Sequence, residues 1–216
     1  MPIRRSEIIA LSISLAAVLV GLWVYPQLPE RVASHWNITG QVDGSISKFW
    51  GAFLMPVVML TIFLIFLIIP KIDPRRANIE KFRRYFDWFI IALFVFFFYV
   101  YCLTLAWNLG AHFNFTPFFL PALSTLFYFV GIMTEKTESN WTIGIRTPWT
   151  LSSETVWRKT HQLAGQLFKA SAFISLLGLL AGQYAFWFLI GPIFISAAYS
   201  IIYSYFAFRK EKNAKI

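Results

Sequence analysis

Six stretches of the chain are too long and too apolar for the surface of a water-soluble protein, and they decide what it can fold into. They run Ile8–Tyr25, Phe49–Ile69, Trp88–Leu109, Phe115–Met133, Ala164–Gly182 and Tyr184–Phe206. About 20 apolar residues in a helix cross roughly 30 Å of hydrocarbon. Backbone N–H and C=O groups find no water there, so each segment must pair its own, as a helix does. The predicted fold is an all-α integral membrane protein, a bundle of about six transmembrane helices forming one polytopic domain over 1–216.

Composition agrees. Hydrophobic residues make up 58% of the chain and charged ones 13%, where a soluble domain needs about a quarter charged. The single cysteine, Cys102, excludes an intrachain disulfide and a metal–thiolate site. The net charge of +9 sits at the ends of apolar segments. That position suits lipid headgroups and the positive-inside rule, and no direct nucleic-acid binding is expected. The lipid bilayer is the expected partner, with the cell membrane as location. The first segment ends in Leu22-Trp23-Val24-Tyr25, too bulky for signal-peptide cleavage, so it reads as a retained anchor.

Orientation follows from Lys and Arg. The N-terminus, the basic connection 70–87, the segment 134–163 with Lys169, and the C-terminal Arg209, Lys210, Lys212 and Lys215 together hold 17 of the 19. Only Arg31 and Lys48 lie in loop 26–48. This predicts both termini in the cytoplasm and loop 26–48 outside. Gly110–Asn114 and Gly182–Gln183 should be tight outer hairpins. In the 70–87 connection Asp73 and Pro74 suit a helix start, and Ile79, Phe82 and Phe86 share one face. Such a basic, one-sided helix is expected to lie on the inner leaflet.

Two connections carry unusual chemistry. In the outer loop, Pro26 and Pro29 stiffen the helix exit, and Asn37, Gly40 and Asp43-Gly44 are turn residues, so a hairpin-like element is expected between them. Alternation puts His35 and Trp36 on opposite faces of such a strand. This loop is either a compact connector with Trp36 anchored at the interface or a recognition surface. His35, Asp43, His112 and Asn114 share the outer side, but their spacing lacks the pattern of a metal site.

The inner segment reads Asn140-Trp141-Thr142-Ile143-Gly144-Ile145-Arg146-Thr147-Pro148-Trp149-Thr150-Leu151-Ser152, followed by Val156-Trp157 and Thr160-His161. A helix is predicted from Ser152 as cap, with Trp157, His161, Ala164 and Phe168 on one face and Arg146 free to pair with Glu154 or a lipid phosphate. Interfacial anchoring and a functional surface both account for this run.

No Asp, Glu, Lys or Arg falls at mid-membrane; Asp87 and Lys169 lie at helix ends. This disfavours an ion-coupled transporter. Pro56, Pro121 and Pro192 interrupt spans, and Gly178 with Gly182 should permit close helix contact. Hydrolase, metalloprotease and nucleotide-loop signatures are missing, so neither an enzyme nor a cofactor is expected.

At these two loops the sequence resembles the bacterial SdpI family of immunity proteins. Leu28-Pro29 through His35-Trp36-Asn37, Gly40 and Asp43-Gly44, then Pro56, is similar to the N-terminal domain of unknown function of that family. The run from Asn140 to His161 is similar to its second signature. The resemblance implies immunity to a secreted killing peptide and signalling by holding a small winged-helix repressor at the membrane. Pro29, His35, Trp36, Asn37, Gly40, Asp43 and Gly44 would then form the toxin-sensing surface. Asn140, Gly144, Arg146, Thr147, Pro148, Trp149, Trp157 and His161 would form the cytoplasmic one. The alternatives are a small transporter or flippase for a peptide or lipid, and a metal-assisted membrane enzyme built on His35, Asp43 and His112.

Overall fold

The computed structural model describes residues 4–214; the predicted contribution of Lys215 to the basic C-terminus lies outside them. Helix α1 (Arg5–Val24) leads through a 3-10 turn into a hairpin of β1 (Arg31–Trp36) and β2 (Val42–Ser47). Helices α2 (Lys48–Ile72), α3 (Arg76–Lys81) and α4 (Arg83–Ala106) follow, then α5 (Thr116–Lys136), the short α6 (Pro148–Ser152), α7 (Glu154–Leu177) and α8 (Ala185–Asn213). Six of these segments are long and apolar enough to cross a membrane: those built on α1, α2, α4, α5, α7 and α8. An even number of crossings puts both ends of the described chain on one face and the β-hairpin on the other.

The helices pack in two groups of three. Helices α1, α2 and α4 form one, α5, α7 and α8 the other, and α4 against α5 joins them. In α1 and the second half of α8 the burial pattern inverts that of a soluble bundle. Helix α1 buries Ser6, Ala10, Ser14, Ala17 and Gly21, and α8 buries Ser196, Ser200 and Ser204. Leu19, Trp23, Leu180, Phe194 and Ile195 face outward. Small residues at the seams let backbones approach, and the large apolar ones meet lipid. The seams also carry polar contacts: the hydroxyls of Ser171 and Ser196 bond across α7 and α8 at 2.8 Å.

Two junctions show how the backbone is satisfied. Pro56 has no N–H, so the carbonyl of Ala52, one turn earlier, loses its helical donor. The Tyr101 hydroxyl donates to that carbonyl at 2.7 Å. Gly21 makes the room: a Cβ there would lie 2.8 Å from the Tyr101 oxygen and 2.9 Å from the Ala52 carbonyl. In the second group Gly131 and Gly165 face each other, and a Cβ on either would meet the other's carbonyl within 2.8 Å. The expected glycine contact is thus only half found. Gly178 does lie close to the Ala185 carbonyl, whereas Gly182 has open space around it.

Three further expectations are corrected. The apolar face of the 70–87 connection does not lie on lipid. Ile79, Phe82 and Phe86 are buried in the core of the first helix group, because a one-sided helix satisfies that face equally well against protein. Ser152 ends α6, and Ser153 caps α7, its hydroxyl accepting the Val156 N–H at 3.2 Å. Thr147 and Pro148 start the separate turn of α6, which uses up Ser152. Among the described residues Arg146 pairs neither with Glu154 nor with any other acid; its guanidinium donates to the Trp141 carbonyl at 2.6 Å.

Asp87 lies near the start of α4, as predicted, whereas Lys169, expected at a helix end, sits inside α7 because that helix already begins at Glu154; both are paired. Lys169 bonds Glu135 at 2.6 Å across α7 and α5. Arg83, almost fully buried, holds Glu7 at 3.0 Å and Asp87 at 2.9 Å, while Arg4 reaches Glu80 at 2.7 Å. This ionic knot ties α1, α3 and α4 together at the face that carries the termini.

Candidate functional site

The predicted hairpin forms because Asn37 builds its turn. Its side-chain oxygen accepts from the N–H groups of Thr39 and Gln41 and from the Thr39 hydroxyl. Gly40 takes φ 79°, a left-handed conformation at low cost only for glycine. The strands pair Val32 with Ile46 and Ala33 with Ser45, then slip near His35 and Trp36. The two side chains still point to opposite faces, as alternation predicted. His35 stays exposed and its Nδ1 contacts the Asp43 carboxylate.

Trp36 turns inward, stacking on Phe115 at 4.3 Å and meeting Trp107 edge-on at 5.8 Å. It is therefore held by protein aromatics at the start of α5 and the end of α4. Asn108, which the sequence did not single out, clamps the hairpin like a third strand. Its side chain accepts the Ala33 N–H at 2.7 Å and donates to the Ala33 carbonyl at 3.0 Å.

Beneath the hairpin lies a cavity of about 810 Å³. Its walls come from both helix groups: Trp50, Leu54 and Val58 of α2, Val100 and Tyr101 of α4, Phe119 and Leu123 of α5, and Phe186, Leu189 and Ile190 of α8. His35, Trp36, Asn37, Gly40 and Asp43 form its rim. On every helix the lining stops in the half nearest the hairpin, so the cavity is not a path through the membrane. An apolar pocket with a few polar groups at one end is the usual form of a binding site. The indole N–H of Trp36, buried at this rim, has no hydrogen-bond partner among the described residues. Of the predicted outer set, Pro29 lies exposed outside the lining, and Gly44 packs against His35 across the strands. His112 packs edge-on over Trp107, and among the described residues no three of His, Cys, Asp and Glu converge on a metal position.

On the opposite face the segment 137–147 is a knot of satisfied polar groups. Asn140 is fully buried: its oxygen accepts the N–H groups of Thr142 and Ile143, and its nitrogen donates to the carbonyls of Glu138 and Ile143. The Trp157 indole donates to the Thr137 carbonyl at 2.8 Å. His161 stacks on Trp157 with ring centres 4.0 Å apart. The His161 Nε2 accepts the Ile145 N–H at 2.9 Å and Nδ1 lies 2.8 Å from the Trp157 carbonyl, which assigns the proton to Nδ1. Gly144 has φ 110°, and a Cβ there would sit 2.5 Å from His161 Nε2. Thr147 caps α6 and meets the Ser204 hydroxyl at 3.1 Å; Trp149 packs edge-on over Tyr205.

Asn140, Thr147, Trp157 and His161 are thus interior, whereas Trp141, Gly144, Arg146 and Pro148 face outward. Sequence reading also missed what this knot is fastened to. The Asp73 carboxylate accepts the Trp141 N–H at 2.9 Å and the Thr142 hydroxyl at 2.7 Å. Arg75 donates to the Ser139 hydroxyl, and Asn78 to the Ser139 carbonyl. These residues lie at the end of α2 and the start of α3, which packs on the first helix group, so the latch joins both groups on the face opposite the hairpin.

Comparison with known proteins matches these two regions. Residues 13–60 match the domain of unknown function DUF1648, covering most of α1, the hairpin and the start of α2. Residues 136–204 match the SdpI/YfhL protein family, covering the latch segment, α6, α7 and most of α8. The chain is 26% identical over 212 residues to the immunity protein SdpI of Bacillus subtilis strain 168, spanning 98% of this chain and all of that protein. No solved structure matches. The resemblance read from the two loops is borne out, and with six apolar spans it describes a multi-pass protein of the cell membrane.

Proposed function

We propose that this chain is a non-enzymatic immunity protein that captures a secreted, apolar killing peptide in the cavity beneath the hairpin. The observation that carries this reading is the cavity itself: apolar walls drawn from both helix groups, and at its rim an indole N–H waiting for an acceptor. A peptide backbone carbonyl supplies such an acceptor, and its apolar side chains suit the walls. The charge bias of the loops puts the hairpin outside and the arginine-rich face in the cytoplasm.

Signalling follows from the same architecture. A peptide seated between α2 and α5 changes the spacing of the two helix groups. Asp73 passes that change to Trp141 and Thr142, altering the exposed patch of Trp141, Arg146 and Pro148 against which a small winged-helix repressor docks. This is a coupling free energy between two sites, carried by one element with two arrangements.

The transporter or flippase reading asks for a passage through the bilayer, and the cavity's one-sided lining gives it no support. The test is survival. A sensitive host expressing the chain should withstand the secreted killing peptide at concentrations that kill the vector control; equal killing of both would remove immunity from the account.

A further inference from the structure

A second pocket, of about 450 Å³, opens on the face that carries the termini, between the start of α1 and the α3–α4 junction. It is lined by Arg4, Arg5, Arg83 and Arg84 against two carboxylates, Glu80 and Asp87. Both acids are already engaged: Arg4 bonds Glu80 and Asp87, and Arg83 bonds Asp87 and, behind the pocket, Glu7. Arg5 and Arg84 are exposed, and their side chains make no hydrogen bond or ion pair among the described residues. The wall therefore presents two free guanidinium groups.

Two further features point to an anion between them. The pocket includes the first turn of the 20-residue helix α1, whose N-terminus carries partial positive charge; the one acid of that turn, Glu7, is engaged by Arg83 behind the pocket. Ser6 lines the same pocket; it is only 4% exposed, and its hydroxyl is buried with no partner among the described residues. An unsatisfied buried hydroxyl costs about 1–3 kcal/mol, so a site that keeps one needs an acceptor to complete it. Toward the hydrocarbon the pocket continues onto Trp88, 53% exposed, and Ile91, an apolar wall suited to acyl chains.

We infer that this pocket binds the phosphate of an anionic phospholipid in the leaflet at the termini. Arg5 and Arg84 hold the phosphate oxygens, Ser6 donates to one of them, and Trp88 and Ile91 flank the chains. A lipid so placed braces α1 against α3 and α4 and reinforces the ionic knot behind it.

The test uses the full chain purified in detergent micelles, with dioctanoyl phosphatidylglycerol as probe, followed by thermal unfolding and by native mass spectrometry. The anionic lipid should raise the melting temperature and persist as a one-to-one adduct, while dioctanoyl phosphatidylcholine should do neither. Replacing both free cations (R5Q with R84Q) should weaken the apparent affinity about thirtyfold, from the usual contribution of two arginines beside anionic lipid. S6A should also weaken it, whereas a merely structural Ser6 would leave lipid affinity untouched. An equal response to phosphatidylcholine, or unchanged affinity in both variants, would overturn the site. An equal shift from inorganic phosphate alone would reduce it to a free-anion site and overturn the lipid assignment.

Discussion

Asn140 organises the latch with one amide, accepting from Thr142 and Ile143 and donating to Glu138 and Ile143. No other side chain of that size offers donors and acceptors so close together while fully buried. Asn140→Ala strands the Ile143 N–H and its neighbours without partners, which costs about 1–3 kcal/mol for each group left unsatisfied. The expected loss is about 3 kcal/mol or more, read as a clear drop in melting temperature of the purified protein. A variant with unchanged melting would show that the loop is held from elsewhere. The sequence marked Asn140, Gly144, Trp157 and His161 as unusual, and they are the residues that build the knot. It could not tell interior from surface among them. Burial depends on Asp73 meeting Trp141 and on Arg75 meeting Ser139, pairs that are neighbours only in space.

At the scale of elements, the spans and the hairpin were legible because each has a local cause. Unbroken apolar length demands a helix, and Asn37 and Gly40 demand a turn; Asp43-Gly44, read as turn residues, lie instead within β2, where Gly44 pairs with His35. The 70–87 connection misled because amphipathicity states that a face must be covered without stating by what; here protein covers it. The glycine contacts are equally non-local. Gly131 and Gly165 lie in different helices and give no joint pattern in the sequence, yet they set the distance between α5 and α7. Gly165→Ala places a methyl group 2.7 Å from the Gly131 carbonyl, so the helices must part. The expected cost is about 1–3 kcal/mol, typical of an overfilled interior. Gly191→Ala, which meets nothing within 4 Å, serves as the control in the same melting experiment. Equal effects of the two substitutions would contradict close α5–α7 packing.

For the whole molecule, the arrangement is two helix groups clamped at both ends. On one face Asn108, Trp107 and Phe115 hold the hairpin; on the other Asp73, Arg75 and Asn78 hold the latch. Between them the cavity occupies the half nearer the hairpin. Neither clamp nor cavity could be read from composition or periodicity, since each is assembled from residues far apart in the chain. The cavity is also what the proposed immunity depends on, and it can be filled without disturbing either clamp. Leu54 lines it from α2, and its side chain is open to the cavity rather than packed in the core. The most direct measurement is therefore survival of a sensitive host, challenged with the killing peptide, when it makes Leu54→Trp or the unaltered chain at matched membrane abundance. The unaltered chain should protect and Leu54→Trp should lose most of that protection; full protection with the cavity filled would rule out capture of the peptide there.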